Sequence, residues 1–240
     1  MSPTLTRTER HALLNKNKRR KKNLTTILII FGALLLIGFL LLPTLPTFKY
    51  NIGQVELPAQ NERPMASDDW MGVKDAAVTV EEYSSFACTH CRNFALSYEE
   101  YFVQNFVANG LVRWKFIPVT YQDPALTLAS KATYCAMEQG KFWEYRDVIF
   151  ANQGVPQFYP YTEKSLTSFA LALELEQDTF ETCLAGTSFD QKLYENETDI
   201  TDINITGTPS FLINGEKLVV GGNPQELLTV IENYLNNSGN

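Results

Sequence analysis

Histidine is nearly absent from this chain. Its 240 residues contain two, His11 and His90, which excludes a histidine-built metal centre. Cysteine is scarce as well. Four cysteines do not make a disulfide-built scaffold, and a chain this long needs none. No internal repeat, biased tract or short period occurs, which excludes collagen-like, long coiled-coil and low-complexity chains. Neither G-x-G-x-x-G nor G-x-x-x-x-G-K-[ST] is present, so no phosphate-cradling loop of those kinds points to a soluble nucleotide cofactor. What the chain has is core material, with 45% apolar and 20% charged residues.

The net charge of −7 averages two unlike pieces. Residues 1–42 hold eight of the twenty Lys and Arg and a single acid, Glu9. The remainder has twelve bases against twenty-six acids, a net of −14. Such a domain is repelled by phosphates, so nucleic acid is not an expected partner. The bases have a different neighbour. Leu24 to Leu42 reads LTTILIIFGALLLIGFLLL, and no charge occurs between Lys22 and Lys49. Nineteen helical residues span about 28 Å, close to a bilayer core of about 30 Å.

The run Lys16–Lys22 holds six bases in seven residues and is expected to stay in the cytoplasm. The C-terminal part then lies outside the cytoplasmic membrane. A cleaved signal peptide has a shorter apolar region and a small-residue site after it. The apolar run here is longer and LLPTLPTFKY follows, which favours an uncleaved signal anchor. The expected organisation is a cytoplasmic tail over 1–23, a transmembrane helix over 24–42, a proline-rich linker over 43–65 and a folded domain over 66–240.

In the outer domain, Ala76–Ser84 reads as a strand. Cys88–Asn109 reads as one helix, with Phe94, Tyr98, Tyr101, Phe102 and Phe106 at spacings of three and four. Gly110 stops it, and Leu111–Val119 is a second strand. From 121 to about 203 the signals are helical, over 124–139, 141–151, 163–176, 178–185 and 188–200. Ser210–Ile213 and Lys217–Val220 flank Asn214-Gly215, a hairpin signal. Pro224 opens a final helix. The order is β-α-β, a helical insert, then β-β-α.

Cys88-Thr89-His90-Cys91 sits after a strand and opens a helix. At spacing three both sulfurs lie on one face of the first turn. Cys88 meets unpaired N–H groups and the positive end of the macrodipole. Both favour the thiolate, the nucleophilic form, and His90 offers another donor or positive charge. Stabilising the thiolate stabilises the reduced form and makes the disulfide a stronger oxidant. Other readings are a structural disulfide, a zinc half-site, and a Cys–His nucleophile of the protease kind. Zinc wants a second close ligand pair, and Cys135 and Cys183 are far apart in sequence. The protease arrangement needs a histidine arriving from elsewhere in the fold. Along the strand, Val78, Val80 and Glu82 share one face, and the valines mark it as inward. The other readings of Glu82 are a solvated side chain past the strand end, or Glu81 as the inward acid if the phase slips by one.

Residues 78–91, VTVEEYSSFACTHC, resemble the strand and active site of the DsbA-like thiol:disulfide oxidoreductases of the thioredoxin superfamily. Residues 207–215, GTPSFLING, resemble that superfamily's cis-proline loop, and 138–145, EQGKFWEY, the start of the family's helical insert. The likeness covers about 66–236. It implies a thioredoxin-like α/β fold with an all-helical insert, here preceded by a single transmembrane helix. It further implies that Thr208-Pro209 faces the sulfurs with a cis bond and pairs with an extended substrate; an ordinary trans proline entering a strand is the plainer reading. Glu82 matches the family's acidic residue six positions before the first active cysteine, a proton relay to Cys91.

Cys135 and Cys183 are expected to form an inert structural disulfide in an oxidising compartment, a second redox relay being the sharper alternative. Phe142, Trp143 and Tyr145 are expected in the insert core. The implied activity is disulfide donation to reduced exported proteins, with no soluble cofactor and no metal. The implied recycling partner is a quinone-linked membrane oxidase of the DsbB or vitamin K epoxide reductase type, and the head is expected to be monomeric. The alternatives are a reductase or isomerase on the same fold, and a non-catalytic binding module.

Overall fold

The computed structural model describes residues 30–32 and 54–238. The chain divides into two units, 1–51 and 52–240. Of the first unit only Ile30–Gly32 is described, and it is helical. The expected tail over 1–23 lies outside the described residues, as do the rest of the expected span over 24–42 and residues 43–53 of the expected linker. Among the described residues no helix is long and apolar enough to cross a membrane.

The second unit is built on a five-stranded sheet of order β1-β3-β2-β4-β5. The strands are β1 (Trp70–Met71), β2 (Val78–Ser84), β3 (Val112–Pro118), β4 (Ser210–Ile213) and β5 (Lys217–Val220). β2 and β3 are parallel, while β1 on β3, β4 on β2 and β5 on β4 are antiparallel. The mixed sheet follows from the connections. The β2–β3 crossover is long enough for parallel pairing, whereas Asn214 and Gly215, both at positive φ (51° and 70°), close β4 and β5 directly. The two-residue β1 has no periodic signal in the sequence.

The period-2 reading of β2 holds in space. Val78, Val80 and Glu82 are buried, and Glu81 faces outward beside Lys115 at 3.6 Å. Across the sheet Glu82 stands opposite Phe116 and Phe211. That face carries the main core. Trp114 packs against Phe94, Phe102 and Phe211, with ring centroids 4.7–6.0 Å apart among these contacts. A smaller cluster on the other face joins Tyr83, Ile117, Val119 and Leu212 to Ile200 and Ile205.

The single helix expected over 88–109 is broken. Helix α1 (Thr89–Ser97) ends at Tyr98, with φ −121°; α2 (Glu99–Phe102) and a π-helical turn (Val103–Val107) follow. Tyr98 and Tyr101, counted by spacing as core, are exposed. The break brings Glu99 to 0% exposure, where both Glu99 oxygens accept from the buried Arg146. One continuous helix keeps Tyr98 and Phe102 on one face; the break and the π turn instead put Phe102, Val103, Phe106 and Val107 inside.

The insert is helical as expected: α3 (Pro124–Met137), α4 (Phe142–Ala151), α5 (Glu163–Ala172), α6 (Gln177–Ala185) and α7 (Asp190–Asp202). Asp123 caps α3 by accepting from Ala125 and Leu126 N–H, with Pro124 where its missing donor costs nothing. Phe142, Trp143 and Tyr145 are buried, and Phe116 of β3 meets the rings of Phe142, Trp143 and Phe150. This seam fixes the insert to the sheet. Helix α8 (Pro224–Ser238) packs on β2 and β4.

Part of the expected linker is docked. Glu56 exchanges two hydrogen bonds with Asn152, N–H to Oδ1 at 2.9 Å and Nδ2 to the Glu56 carbonyl at 2.8 Å. Arg63 pairs with Glu99 and with Asp147, the latter at 2.6 Å. Proline content suits an extended segment, and polar hydrogen bonding decides whether that segment is free or laid along a surface.

Candidate active site

β2 ends at Ser84, and residues 85–88 turn the chain into α1. Phe86 anchors this turn, its ring 5.8 Å from Phe116 and 5.1 Å from Phe150. Cys88 then occupies the N-cap, with extended backbone (φ −88°, ψ 118°), and its sulfur accepts from Cys91 N–H at 3.4 Å. A cap position ordinarily holds Ser, Thr, Asp or Asn because an oxygen there accepts from the first free amides. Here a sulfur takes that place, and a thiolate satisfies it better than a thiol.

The two sulfurs are driven toward opposite protonation states. Both are free thiols; Cys88 is half-buried and Cys91 buried. Cys88 is lowered to about 5. The hydrogen bond from the Cys91 thiol leads, burial opposes it, and the Thr208 side chain and the N–H groups of Cys91 and His90 add to it. Burial pushes Cys91 far up, and the neighbouring Cys88 adds to this. Ser85 N–H donates to Cys91 Sγ at 3.4 Å. Near neutral pH one sulfur is an anion and its neighbour a thiol, which is a nucleophile beside its proton source. His90 is exposed on the first turn and acts on Cys88 through its backbone N–H.

The Thr208–Pro209 peptide is cis, and Thr208 O lies 3.2 Å from Cys88 Sγ. That carbonyl accepts from the thiol form. Gly222 makes this approach possible. At φ +64° it sits where an added Cβ would come within 2.6 Å of Pro209 Cγ, and Gly221 N–H bonds Pro209 O at 2.9 Å.

Glu82 is fully buried. Its carboxyl accepts from Ser84 Oγ at 2.6 Å and Trp114 Nε1 at 3.1 Å. Burial, with Glu99 second, raises it to about 7 against the opposing pull of Arg146. The Ser84 side chain also pulls the Cys91 sulfur downward, against burial. Sequence reading passed over Ser84; its signal was a small polar residue at the inward end of a strand that otherwise alternates with valine.

Cys135 and Cys183 are bonded to each other, with Cα atoms 5.7 Å apart, joining α3 to α6 within the insert. Among the described residues no group of three or more His, Cys, Asp and Glu is placed to hold a metal ion.

The thioredoxin family model Thioredoxin_4 matches residues 65–233. The chain belongs to the thioredoxin family. Among solved structures it is similar to oxidised BdbD from Bacillus subtilis, with TM-score 0.64 and 20% identity over 75% of this chain and 100% of that one. Among curated proteins, the probable disulfide bond formation protein D of Bacillus cereus is 23% identical over 82% of this chain and 90% of its own length. A Na(+)/H(+) antiporter NhaA 1 of Salinispora arenicola is 30% identical over 150 residues. That match covers 62% of this chain and only 22% of the antiporter, so the chain spans about a fifth of such relatives. The family assignment fits the order seen here: a strand, a Cys-x-x-Cys helix, and a cis-proline loop facing the first cysteine.

Proposed function

We propose that this thioredoxin-family chain is an extracytoplasmic thiol:disulfide oxidoreductase, held to the cytoplasmic membrane by residues 24–42, that introduces disulfides into exported proteins. One observation carries the reading. The Cys88 sulfur caps a helix, accepts from Cys91 N–H at 3.4 Å and is lowered to about 5 beside a neighbour pushed far the other way. A thiol lowered this far is roughly a hundredfold more thiolate than thiol at pH 7. Its reduced form is therefore favoured, and its disulfide is oxidising. The Bacillus cereus relative, named for disulfide bond formation, supports the same direction.

The reaction balances as follows. A substrate thiolate attacks Cys88 Sγ of the Cys88–Cys91 disulfide. Cys91 leaves with the electron pair and takes a proton by way of Ser84 and Glu82. The mixed disulfide places substrate against Thr208-Pro209, where an extended peptide pairs as an added strand. A second substrate thiolate attacks the substrate's own sulfur, and Cys88 leaves as a stable thiolate. Two electrons now reside in the Cys88–Cys91 dithiol. A quinone-linked membrane oxidase of the DsbB or vitamin K epoxide reductase type takes them back.

Equilibration of the full chain with glutathione tests the direction. The oxidase reading expects a potential well above the thioredoxin value of about −270 mV, toward about −180 mV or higher. A value at or below about −270 mV assigns the chain to reduction instead. Cys91→Ala is expected to trap substrates and the recycling partner as mixed disulfides on Cys88.

A further inference from the structure

The helical insert reaches the catalytic turn through the segment after α4, residues 152–161. Gln153 Nε2 donates to Phe86 O at 2.8 Å and to Cys88 O at 3.1 Å. Tyr161, which is buried, donates its hydroxyl to Phe86 O at 3.0 Å. In the other direction Arg92 Nε on α1 donates to Phe150 O at 2.9 Å. The Gln153 amide thus bridges the carbonyls on either side of Ala87.

Packing alone does not fix this turn. The Phe86 ring is held between Phe116 and Phe150, but a ring contact leaves the following peptide planes free to rotate. Ala87 is exposed; its N–H reaches Ser85 Oγ at 3.5 Å, and the next amide, Cys88 N–H, donates to Ser85 O at 3.0 Å. Hydrogen bonds decide those planes: Ser85 O holds the middle one, and Gln153 reaches the two on either side through the Phe86 and Cys88 carbonyls. The Cys88 carbonyl it holds also accepts from Arg92 N–H at 3.1 Å in the first turn of α1. Its orientation is therefore that of the cap in which Cys88 Sγ meets Cys91 N–H.

We propose that Gln153 is a positioning residue that sets the thiolate level of Cys88, so that the insert tunes the redox centre as well as flanking it. The proposal rests on the thiol-exchange reading above. Gln153 acts in two ways: it holds the N-cap geometry, and it places the positive end of an amide dipole at the Cys88 carbonyl. Tyr161 shares the first role only, because its hydroxyl reaches Phe86 O alone. The other titratable and charged groups around the turn are Cys91, His90 and Arg92 on α1, Glu82 on β2 and Tyr161 itself. The Gln153 variants leave all of them in place.

The test is the rate of Cys88 alkylation against pH in the full chain, with Gln153→Ala, Gln153→Glu and Tyr161→Phe beside the parent. Gln153→Ala is expected to raise the midpoint by about half a pH unit, a roughly threefold loss of thiolate at fixed pH, the scale of one modest hydrogen bond. Gln153→Glu is expected to raise it further, since a carboxylate then faces two carbonyls. Tyr161→Phe is expected to raise it least. The glutathione equilibrium moves with it, about threefold toward the protein disulfide, which is about 14 mV more reducing. A purely structural Gln153 lowers the melting temperature and leaves the midpoint where it was; that result overturns the proposal. If Gln153→Ala does not fold, Gln153→Glu and Tyr161→Phe decide on the same readout. A parent midpoint near that of free cysteine sinks the exchange reading itself. A low parent midpoint that no variant moves sinks only the role given to Gln153.

Discussion

The chain carries two cysteine pairs in opposite surroundings. Cys88 and Cys91 sit three residues apart on one turn, free, with one sulfur drawn toward the anion and the other away from it. Cys135 and Cys183 are 48 residues apart, joined to each other between two helices of the insert. Neither insert cysteine caps a helix or faces a proline loop. The same side chain is thus a free, polarised pair in one place and a staple in the other. What differs is the helix N-terminus and the donors that reach the sulfur there, not the sulfur.

The largest effect separates the pairs outright. Cys88→Ser is expected to reduce disulfide exchange to background in an assay with a reduced unfolded protein, with the fold retained. Cys135→Ala with Cys183→Ala is expected to keep exchange and to lower unfolding stability in urea, by up to about 4 kcal/mol from the chain-entropy estimate for a loop of this size. Loss of exchange in the second variant at full folding would make the insert disulfide a redox relay and erase the contrast.

The next test asks whether the two regions are independent. Arg146 belongs to the insert, yet it pairs at 2.6 Å with both Glu99 and Asp147 and acts on Glu82 of β2. Burial works to raise the Glu99 carboxyl, and Arg146 and Arg63 outweigh it. Replacing Arg146 with Met leaves two buried carboxylates short of a partner. The expected loss is about 3–5 kcal/mol by denaturant unfolding. Glu82, relieved of a positive neighbour, is expected to move further up. A stability loss with no change at Glu82 would show that the ion cluster serves the insert alone.

That cluster also marks where the sequence could be read and where it could not. The inward phase of β2, the helical insert and the Asn214-Gly215 hairpin follow from period, spacing and turn chemistry, all local signals. Cys88 at a helix start was legible because Cys-x-x-Cys after a strand is a local pattern as well. The break at Tyr98 was not, because the partner that Glu99 meets just past it, Arg146, lies 47 residues further on. The docking of residues 54–63 depends on Asn152 and Asp147 in the same way. Gln153 is a further case: nothing beside it in sequence points to Phe86. Long-range polar pairing escapes a reading built on periodicity.

The last contrast in this series is a difference of sign. Glu82 in the folded chain is raised to about 7 from the ordinary carboxylate 4.5. Below pH 4.5 it is protonated in folded and unfolded chains alike, and its contribution is whole. Between 4.5 and about 7 the unfolded chain ionises first, so stability falls with rising pH, by about 3 kcal/mol over the window, and then levels. Cys88 runs the other way. Its folded value is lowered to about 5 from 9, so the reduced protein gains stability as pH rises from 5 toward 9 and loses it as pH falls through 5. The oxidised protein has no such dependence, because that sulfur no longer titrates. Urea midpoints of both redox forms across pH 4–9 separate the two groups. Glu82→Gln is expected to flatten the fall between 4.5 and 7 in both forms and to leave the reduced-minus-oxidised rise intact. If the Gln variant flattens the redox difference instead, Glu82 and Cys88 titrate as one unit. The proton taken up at Cys91 would then be shared by the whole site rather than relayed through Ser84.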